Sequence, residues 1–209
     1  MNNFYLRIIS SLIIAPIFFY GLYELSFFYI LLIVVFLLAY YEVFKNVKQK
    51  KIKIFLYLLI FFFIWSLFKV RNSDYDHYIN LIWILSIVMI SDIFGYIVGK
   101  LIGGAKLSIY SPNKTISGFL GSIIFSQFAI LIPIFFLNNF IINFKVFLLQ
   151  FILCLISIFG DIFFSYVKRL NKIKDYSALI PGHGGVLDRI DGMVFVIIAY
   201  NFILMINEI

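Results

Sequence analysis

Basic residues, aspartates and glycines are interleaved in one short stretch of the sequence, between residues 168 and 191. Lys and Arg side chains bind phosphate oxygens, and aspartates hold Mg²⁺, which commonly bridges to a substrate phosphate. Glycines adopt positive φ and let the backbone approach a ligand closely. The combination predicts a polyphosphate–metal site, because a plain connecting loop needs no such glycine run. The stretch contains, in order, Lys168-Arg169, Lys172, Lys174-Asp175, Pro181-Gly182-His183-Gly184-Gly185 and Asp188-Arg189-Ile190-Asp191.

Two further aspartates, Asp92 and Asp161, lie within long apolar segments. A carboxylate at membrane depth costs at least about 2.5–3.5 kcal/mol, so each is a candidate functional residue. A structural ion pair, or a hydrogen bond to a neighbouring helix, is the alternative for both. Helical spacing places each on a polar or small-residue face. These faces consist of Ser157, Asp161, Ser165 and Lys168, and of Asp92, Gly95, Tyr96, Gly99 and Lys100.

A second loop with phosphate-binding potential follows the Asp92 segment and contains Ser111, Lys114 and Thr115. A helix is predicted to start after Thr115, and the free N–H groups at a helix N-terminus attract phosphate. Lys114 adds a positive charge, and the two hydroxyls add hydrogen-bonding groups. Taken alone, the segment is equally an ordinary turn followed by a helix N-cap.

The composition indicates which elements must position these residues. The chain has 209 residues, of which 64% are hydrophobic, 21% aromatic and only 13% charged. Soluble domains are about 45–50% apolar and about 25% charged, and disordered chains are poor in apolar residues, so both classes are excluded. We predict an all-α, polytopic integral membrane protein with about seven transmembrane helices. It forms a single domain, with N-terminal helices in 1–78 and the catalytic helices and loops in 79–209.

Apolar runs separated by polar residues define the predicted helices, because lipid offers the backbone no hydrogen-bonding partners. The first two are joined so closely that they form a helical hairpin. The single cysteine, Cys154, excludes an internal disulfide and a Cys-based zinc site, and is predicted to be a core residue. The predicted spans are Ile8–Tyr23, Leu25–Tyr41, Ile54–Phe68, Ile79–Leu101, Ile116–Leu137, Val146–Tyr166 and Met193–Asn207.

The net charge of +7 reflects topology rather than an affinity for nucleic acid. Most Lys and Arg residues fall in the N-terminal tail and in the loops after the second, fourth and sixth spans. The positive-inside rule places these segments in the cytoplasm. Both candidate phosphate-binding loops are then cytoplasmic.

The charged stretch resembles the signature of the phosphatidate cytidylyltransferases, the CDP-diacylglycerol synthases, from Ser165 through the glycine turn to Asp191. The segment from Asp92 to Lys100, with Lys114, Thr115 and Gly118, resembles the family's upstream block. The resemblance covers roughly 91–192. The chain is shorter than typical bacterial members, and Gly192 stands where the family usually has Ser.

The resemblance implies the reaction CTP + phosphatidate → CDP-diacylglycerol + diphosphate, by direct attack of the lipid phosphate on the CTP α-phosphorus. It implies Mg²⁺, with a second cation such as K⁺ possible, a homodimer among membrane phospholipids, no nucleic-acid partner, and a bacterial inner membrane with a cytoplasmic site. Implied metal ligands are Asp161, Asp188 and Asp191; the catalytic set adds Lys168 and Arg169. Implied substrate-binding residues are Asp92, Ser111, Lys114, Thr115, Ser165, Lys174, Asp175, His183, Gly184, Gly185 and Arg189.

Three other functions compete with this one. An ion- or proton-coupled transporter would use Asp92 and Asp161 as a relay, but the sequence shows no inverted repeat and the glycine-rich loop would be unexplained. A CTP-dependent lipid-alcohol kinase is the second. The third, a CDP-alcohol phosphotransferase, lacks its expected pattern, since Asp191-Gly192 continues into Met-Val-Phe.

Overall fold

The computed structural model describes residues 3–71, 75–138 and 140–207, and within them the regular structure is helical apart from two isolated β-bridges. This confirms the predicted all-α class. A 3₁₀ turn at Gln127–Ile130 joins two of the helices. The helices are α1 (Asn3–Tyr23), α2 (Leu25–Asn46), α3 (Lys50–Val70), α4 (Tyr75–Ile102), α5 (Ile116–Ser126), α6 (Leu131–Phe136), α7 (Phe144–Leu170) and α8 (Leu187–Asn207).

Six spans in the described part of the chain are long and apolar enough to cross a membrane, with α5, the 3₁₀ turn and α6 forming one of them. A shorter apolar helix, Ile9–Tyr23, adds a seventh candidate, so the predicted number of about seven is confirmed. The last helix begins at Leu187 instead of the predicted Met193. Asp188 and Asp191 therefore lie in its first turns, where the free N–H groups of a helix start favour carboxylates.

The fifth predicted span is not one continuous α-helix. Pro133 lies near the start of α6, and a proline lacks the N–H that would bond to the carbonyl four residues earlier. The 3₁₀ turn lies over that point. The Gln150 side chain on α7 donates to the Gln127 carbonyl at 3.4 Å, while Trp83 Nε1 on α4 donates to Gln150 Oε1 at 2.9 Å. Buried side chains thus provide polar partners beside the break, as the membrane interior requires.

Helix α4 lies at the centre of the fold and packs most extensively against α5. Glycines bring the two helices together. A Cβ on Gly118 would lie 3.3 Å from Gly99 Cα and would meet the carbonyl oxygen of Gly95. Helix α7 packs against α8 through Gly160, where a Cβ would lie 2.8 Å from the Asp191 carbonyl oxygen. Cys154 is fully buried in the core, as predicted.

The close approach of α4 and α5 predicts a steric cost for any side chain at residue 118. Gly118→Ala should lower the free energy of unfolding by about 1–3 kcal/mol, because two of the atoms it would meet belong to the α4 backbone and cannot rotate away. Thermal melting in detergent would measure the loss. Ile93→Ala, on the exposed face of α4, is the matched control. Equal melting temperatures for Gly118→Ala and the wild type would contradict this packing.

Candidate active site

A cavity of about 260 Å³ lies between α4, α5, α7 and the segment connecting α4 to α5. Asp92, Lys114 and Asp161 all line it, with Ser111 and Thr115. Lys114 and Asp161 form an ion pair within the cavity. Asp92 and Asp161, which are far apart in the sequence, are therefore brought together at one polar site inside the helical bundle. The apolar part of the wall includes Leu107, Phe119 and Ile158.

The segment between α4 and α5 folds back on itself and so fixes Lys114. Gly103 and Gly104 have φ of +70° and +107°, values that glycine adopts without a steric cost. Leu107 N then donates to the Lys114 carbonyl at 2.8 Å. Thr115 Oγ1 accepts from Gly118 N at 3.1 Å, which is the N-cap of α5 that the sequence indicated.

A second charged centre lies where the end of α7 meets the start of α8. Lys168 Nζ is 2.8 Å from Asp188 Oδ1 and 3.9 Å from Asp191 Oδ2. The other oxygen of Asp188 accepts from the backbone N–H groups of Tyr176 at 2.8 Å and Gly185 at 2.9 Å. Asp188 is only 8% exposed. Its carboxylate thus joins α7, α8 and the loop between them.

Tyr176 closes this centre from the loop side. Its ring is fully buried, and Lys168 Nζ lies 5.8 Å from the ring centroid. Burial raises the pKa of the Tyr176 phenol, and the negative charge of Asp188 raises that pKa further. The phenol therefore stays protonated, and Tyr176 adds no negative charge beside the two aspartates.

The glycine turn is shaped by two positive-φ residues, Gly182 at +75° and Gly184 at +84°. Gly184 also lies against α8, because a Cβ there would be 2.9 Å from Asp188 Oδ2. The His183 ring lies beside α1, with Nδ1 2.8 Å from Ser10 Oγ. The turn is thus connected to both the first and the last helix.

The remaining predicted substrate-binding residues are spread around the second centre. Arg169, Lys174, Asp175 and Arg189 are exposed, and Ser165 is half-buried on α7.

Two hydrogen bonds join the basic loops to one another. Arg169 Nε donates to the Tyr110 carbonyl at 3.5 Å, and Lys48 N donates to Asn171 Oδ1 at 2.8 Å. The three basic loops of the sequence therefore meet at one end of the bundle, as the charge distribution predicted.

The predicted metal ligands do not form one cluster in the described part of the chain. Asp161 pairs with Lys114, whereas Asp188 and Asp191 lie at Lys168. Among the described residues, no three carboxylate, imidazole or thiol groups converge to hold an ion. Mg²⁺ is commonly held by one or two carboxylates together with substrate phosphates, and the carboxylates here suit that mode of binding.

The sequence analysis did not identify Glu42, a fully buried carboxylate near the end of α2. Its Oε1 accepts from Ser177 Oγ at 2.6 Å and from Val186 N at 2.8 Å, and its Oε2 accepts from Leu187 N at 2.9 Å. An N-terminal helix therefore contributes directly to the charged stretch. The available signal was an acidic residue at the end of an apolar run, which by itself also fits a helix end at the membrane surface.

The chain shares its sequence pattern with known proteins over much of its length. Residues 51–207 match the sequence model described as "Cytidylyltransferase family". A phosphatidate cytidylyltransferase of Staphylococcus haemolyticus is 38% identical over 142 residues, 66% of this chain and 53% of the relative. One from Helicobacter pylori is 34% identical over 138 residues, 63% of this chain and 49% of the relative. The chain thus spans about half the length of these two relatives.

A phosphatidate cytidylyltransferase of Rickettsia bellii matches over a larger share of both chains. It is 33% identical over 201 residues, which cover 92% of this chain and 87% of the relative. None of these three named relatives is a transporter or a lipid kinase. The resemblance stated from the sequence motifs is confirmed at the level of the family.

The contacts of Asp188 predict that it stabilises the fold as well as the site. Asp188→Asn should lower the free energy of unfolding by about 3 kcal/mol, because it leaves the charge of Lys168 in a largely buried pair without its main partner. Chemical denaturation in detergent would measure the change. Asp175→Asn, which alters an exposed carboxylate of the same loop, should leave stability unchanged. A fully stable Asp188→Asn variant would argue against the buried ion pair.

Proposed function

Because the chain belongs to the cytidylyltransferase family, we propose that it transfers the cytidylyl group of CTP to phosphatidate, forming CDP-diacylglycerol and diphosphate. The observation that carries this proposal is the cavity within the helical bundle that holds Asp92, Lys114 and Asp161. A membrane lipid and a water-soluble nucleotide must meet at such a place. The relatives from Staphylococcus haemolyticus and Rickettsia bellii are named phosphatidate cytidylyltransferases, which supports the same reaction.

The reaction needs no covalent enzyme intermediate. An anionic oxygen of the phosphatidate phosphate attacks the α-phosphorus of CTP, a new P–O bond forms, and the bond to the β-phosphate oxygen breaks to release diphosphate. Such transfers depend mainly on positioning and on neutralising phosphate charge. Lys114 and Lys168 lie inside the site for this purpose, while Arg169 and Arg189 are exposed at its edge.

We propose Mg²⁺ as the metal, held by one or two of the carboxylates Asp161, Asp188 and Asp191 together with substrate phosphate. Oxygen ligands of this kind are those that Mg²⁺ prefers. When bound, the ion would neutralise charge on the reacting phosphates. Lys114 and Lys168 already pair with these carboxylates and so offset part of their negative charge.

Purified protein in detergent tests the proposed reaction directly. With phosphatidate, CTP and Mg²⁺ it should release diphosphate and form CDP-diacylglycerol, and omitting Mg²⁺ should stop turnover. Asp161→Asn should reduce kcat about 100-fold, because Lys114 loses the partner that orients it and the proposed Mg²⁺ would lose a carboxylate ligand. Diphosphate release and lipid chromatography would report both products.

Asp76→Asn is the matched control for that variant, since Asp76 is an exposed carboxylate in the first turn of α4, outside the cavity. It should turn over at the wild-type rate. If folded wild-type protein forms no CDP-diacylglycerol under any tested condition, the proposed reaction is wrong. If Asp161→Asn matches the wild type, the reaction stands but the role of Asp161 does not.

We further propose that the active site faces the cytoplasm of a bacterial cell, in the inner membrane. The meeting of three basic loops at one end of the bundle supports this orientation. Cys154 is buried, so cysteines introduced at exposed positions can be labelled separately. In intact cells, Lys145→Cys should react with a membrane-impermeant maleimide and Lys51→Cys should not. The reverse pattern would contradict the orientation.

A further inference from the structure

We infer that Glu42 is a positioning residue, which acts through its hydrogen bonds to hold the glycine turn and the start of α8 in the geometry that Lys168 and Asp188 need. The inference deepens the proposed function and rests on it for its kinetic part. Glu42 lies before residue 51, where the match to the family model begins. It is fully buried and belongs to α2, far in the sequence from the residues it contacts.

The Glu42 carboxylate accepts from three donors on the segment that leads into α8. Two of them are the backbone N–H groups of Val186 and Leu187, and the third is the hydroxyl of Ser177. The helical bonds of α8 start at the Val186 carbonyl, which accepts from Arg189 N and Ile190 N. Glu42 therefore satisfies N–H groups that have no partner within α8 itself.

The charge of Glu42 is balanced by this helix start rather than by a basic side chain. No ion pair with Glu42 occurs among the residues that the structure describes. A buried carboxylate is costly unless it is hydrogen-bonded, and the N-terminal end of a helix carries partial positive charge. The carboxylate on α2 thus holds the start of α8 in place.

Glu42 and Asp188 divide the backbone donors of this segment between them. Gly185 N donates to Asp188, and the next two N–H groups donate to Glu42. The Glu42 carboxylate occupies the space that a side chain at residue 185 would need. A Cβ on Gly185 would lie 2.7 Å from Glu42 Cδ. A shift of Glu42 would therefore move Asp188 relative to Lys168, although Glu42 itself touches neither side chain.

Glu42→Gln tests the inference with almost no change in side-chain volume. The amide keeps one acceptor oxygen and turns an NH₂ group toward a backbone or hydroxyl donor. We expect kcat per folded enzyme to fall about 10- to 100-fold, a loss typical of small displacements at an active site. The KM for phosphatidate should stay unchanged, because the cavity lined by Asp92, Lys114 and Asp161 does not contact Glu42. A merely structural role would reduce the yield of folded enzyme and leave kcat intact.

Hydrogen–deuterium exchange provides a readout that does not depend on activity. In Glu42→Gln, the backbone amides of 185–187 should exchange faster than in the wild type. Glu24→Gln changes the exposed acidic residue at the other end of α2 and should alter neither exchange nor kcat. Ser177→Ala removes only one of the three donors to Glu42, so this variant should still fold. Its exchange rates and kcat should change in the same direction as in Glu42→Gln, but less.

The outcomes separate the two proposals. Wild-type protein without turnover, combined with faster exchange in Glu42→Gln, would overturn the proposed reaction and support the role of Glu42 in holding this segment. Active wild-type protein, with unchanged kcat and unchanged exchange in both Glu42→Gln and Ser177→Ala, would overturn the positioning role.

Discussion

The hydrogen bonds and the ion pair around the Asp188 carboxylate are the interaction on which the site depends. One oxygen binds Lys168 of α7, and the other accepts two backbone N–H groups from the loop that precedes α8. A carboxylate in a largely buried position needs all of these partners. Because they come from different elements, Asp188 fixes the end of α7, the loop and the start of α8 relative to one another.

The site has two parts, a cavity between membrane-spanning helices and a charged centre built on a loop. The cavity between α4, α5 and α7 is built from membrane-spanning helices in close contact, and its charged groups are held in place by the Lys114–Asp161 pair. The centre at Lys168 is built from a glycine-shaped loop at the end of the bundle. The proposed reaction between a lipid and a nucleotide would use both, since one substrate lies in the bilayer and the other is in water.

The sequence predicted the long apolar helices, because long apolar runs are a strong signal. Charged residues within or beside those runs indicated the candidate site residues, whose roles stay predictions. Asp92 and Asp161 meet at one cavity, as isolated polar residues on apolar helices would be expected to do, and Lys114 reaches the same cavity from the segment between α4 and α5. The interrupted fifth span was missed although Pro133 indicated it, since hydropathy alone does not reveal a helix break. Glu42 was missed because its partners are backbone N–H groups, which carry no sequence signature.

The contact between α2 and the start of α8 also constrains how the protein is made. Glu42 and Leu187 are separated by 145 residues, so the carboxylate is synthesised long before its partners. Until residues 177–187 have been synthesised, Glu42 lacks the three donors that it uses in the folded protein. The charged site is therefore completed only after the start of α8 has been synthesised, and a chain interrupted before α8 would retain a carboxylate without its backbone donors, which weakens it.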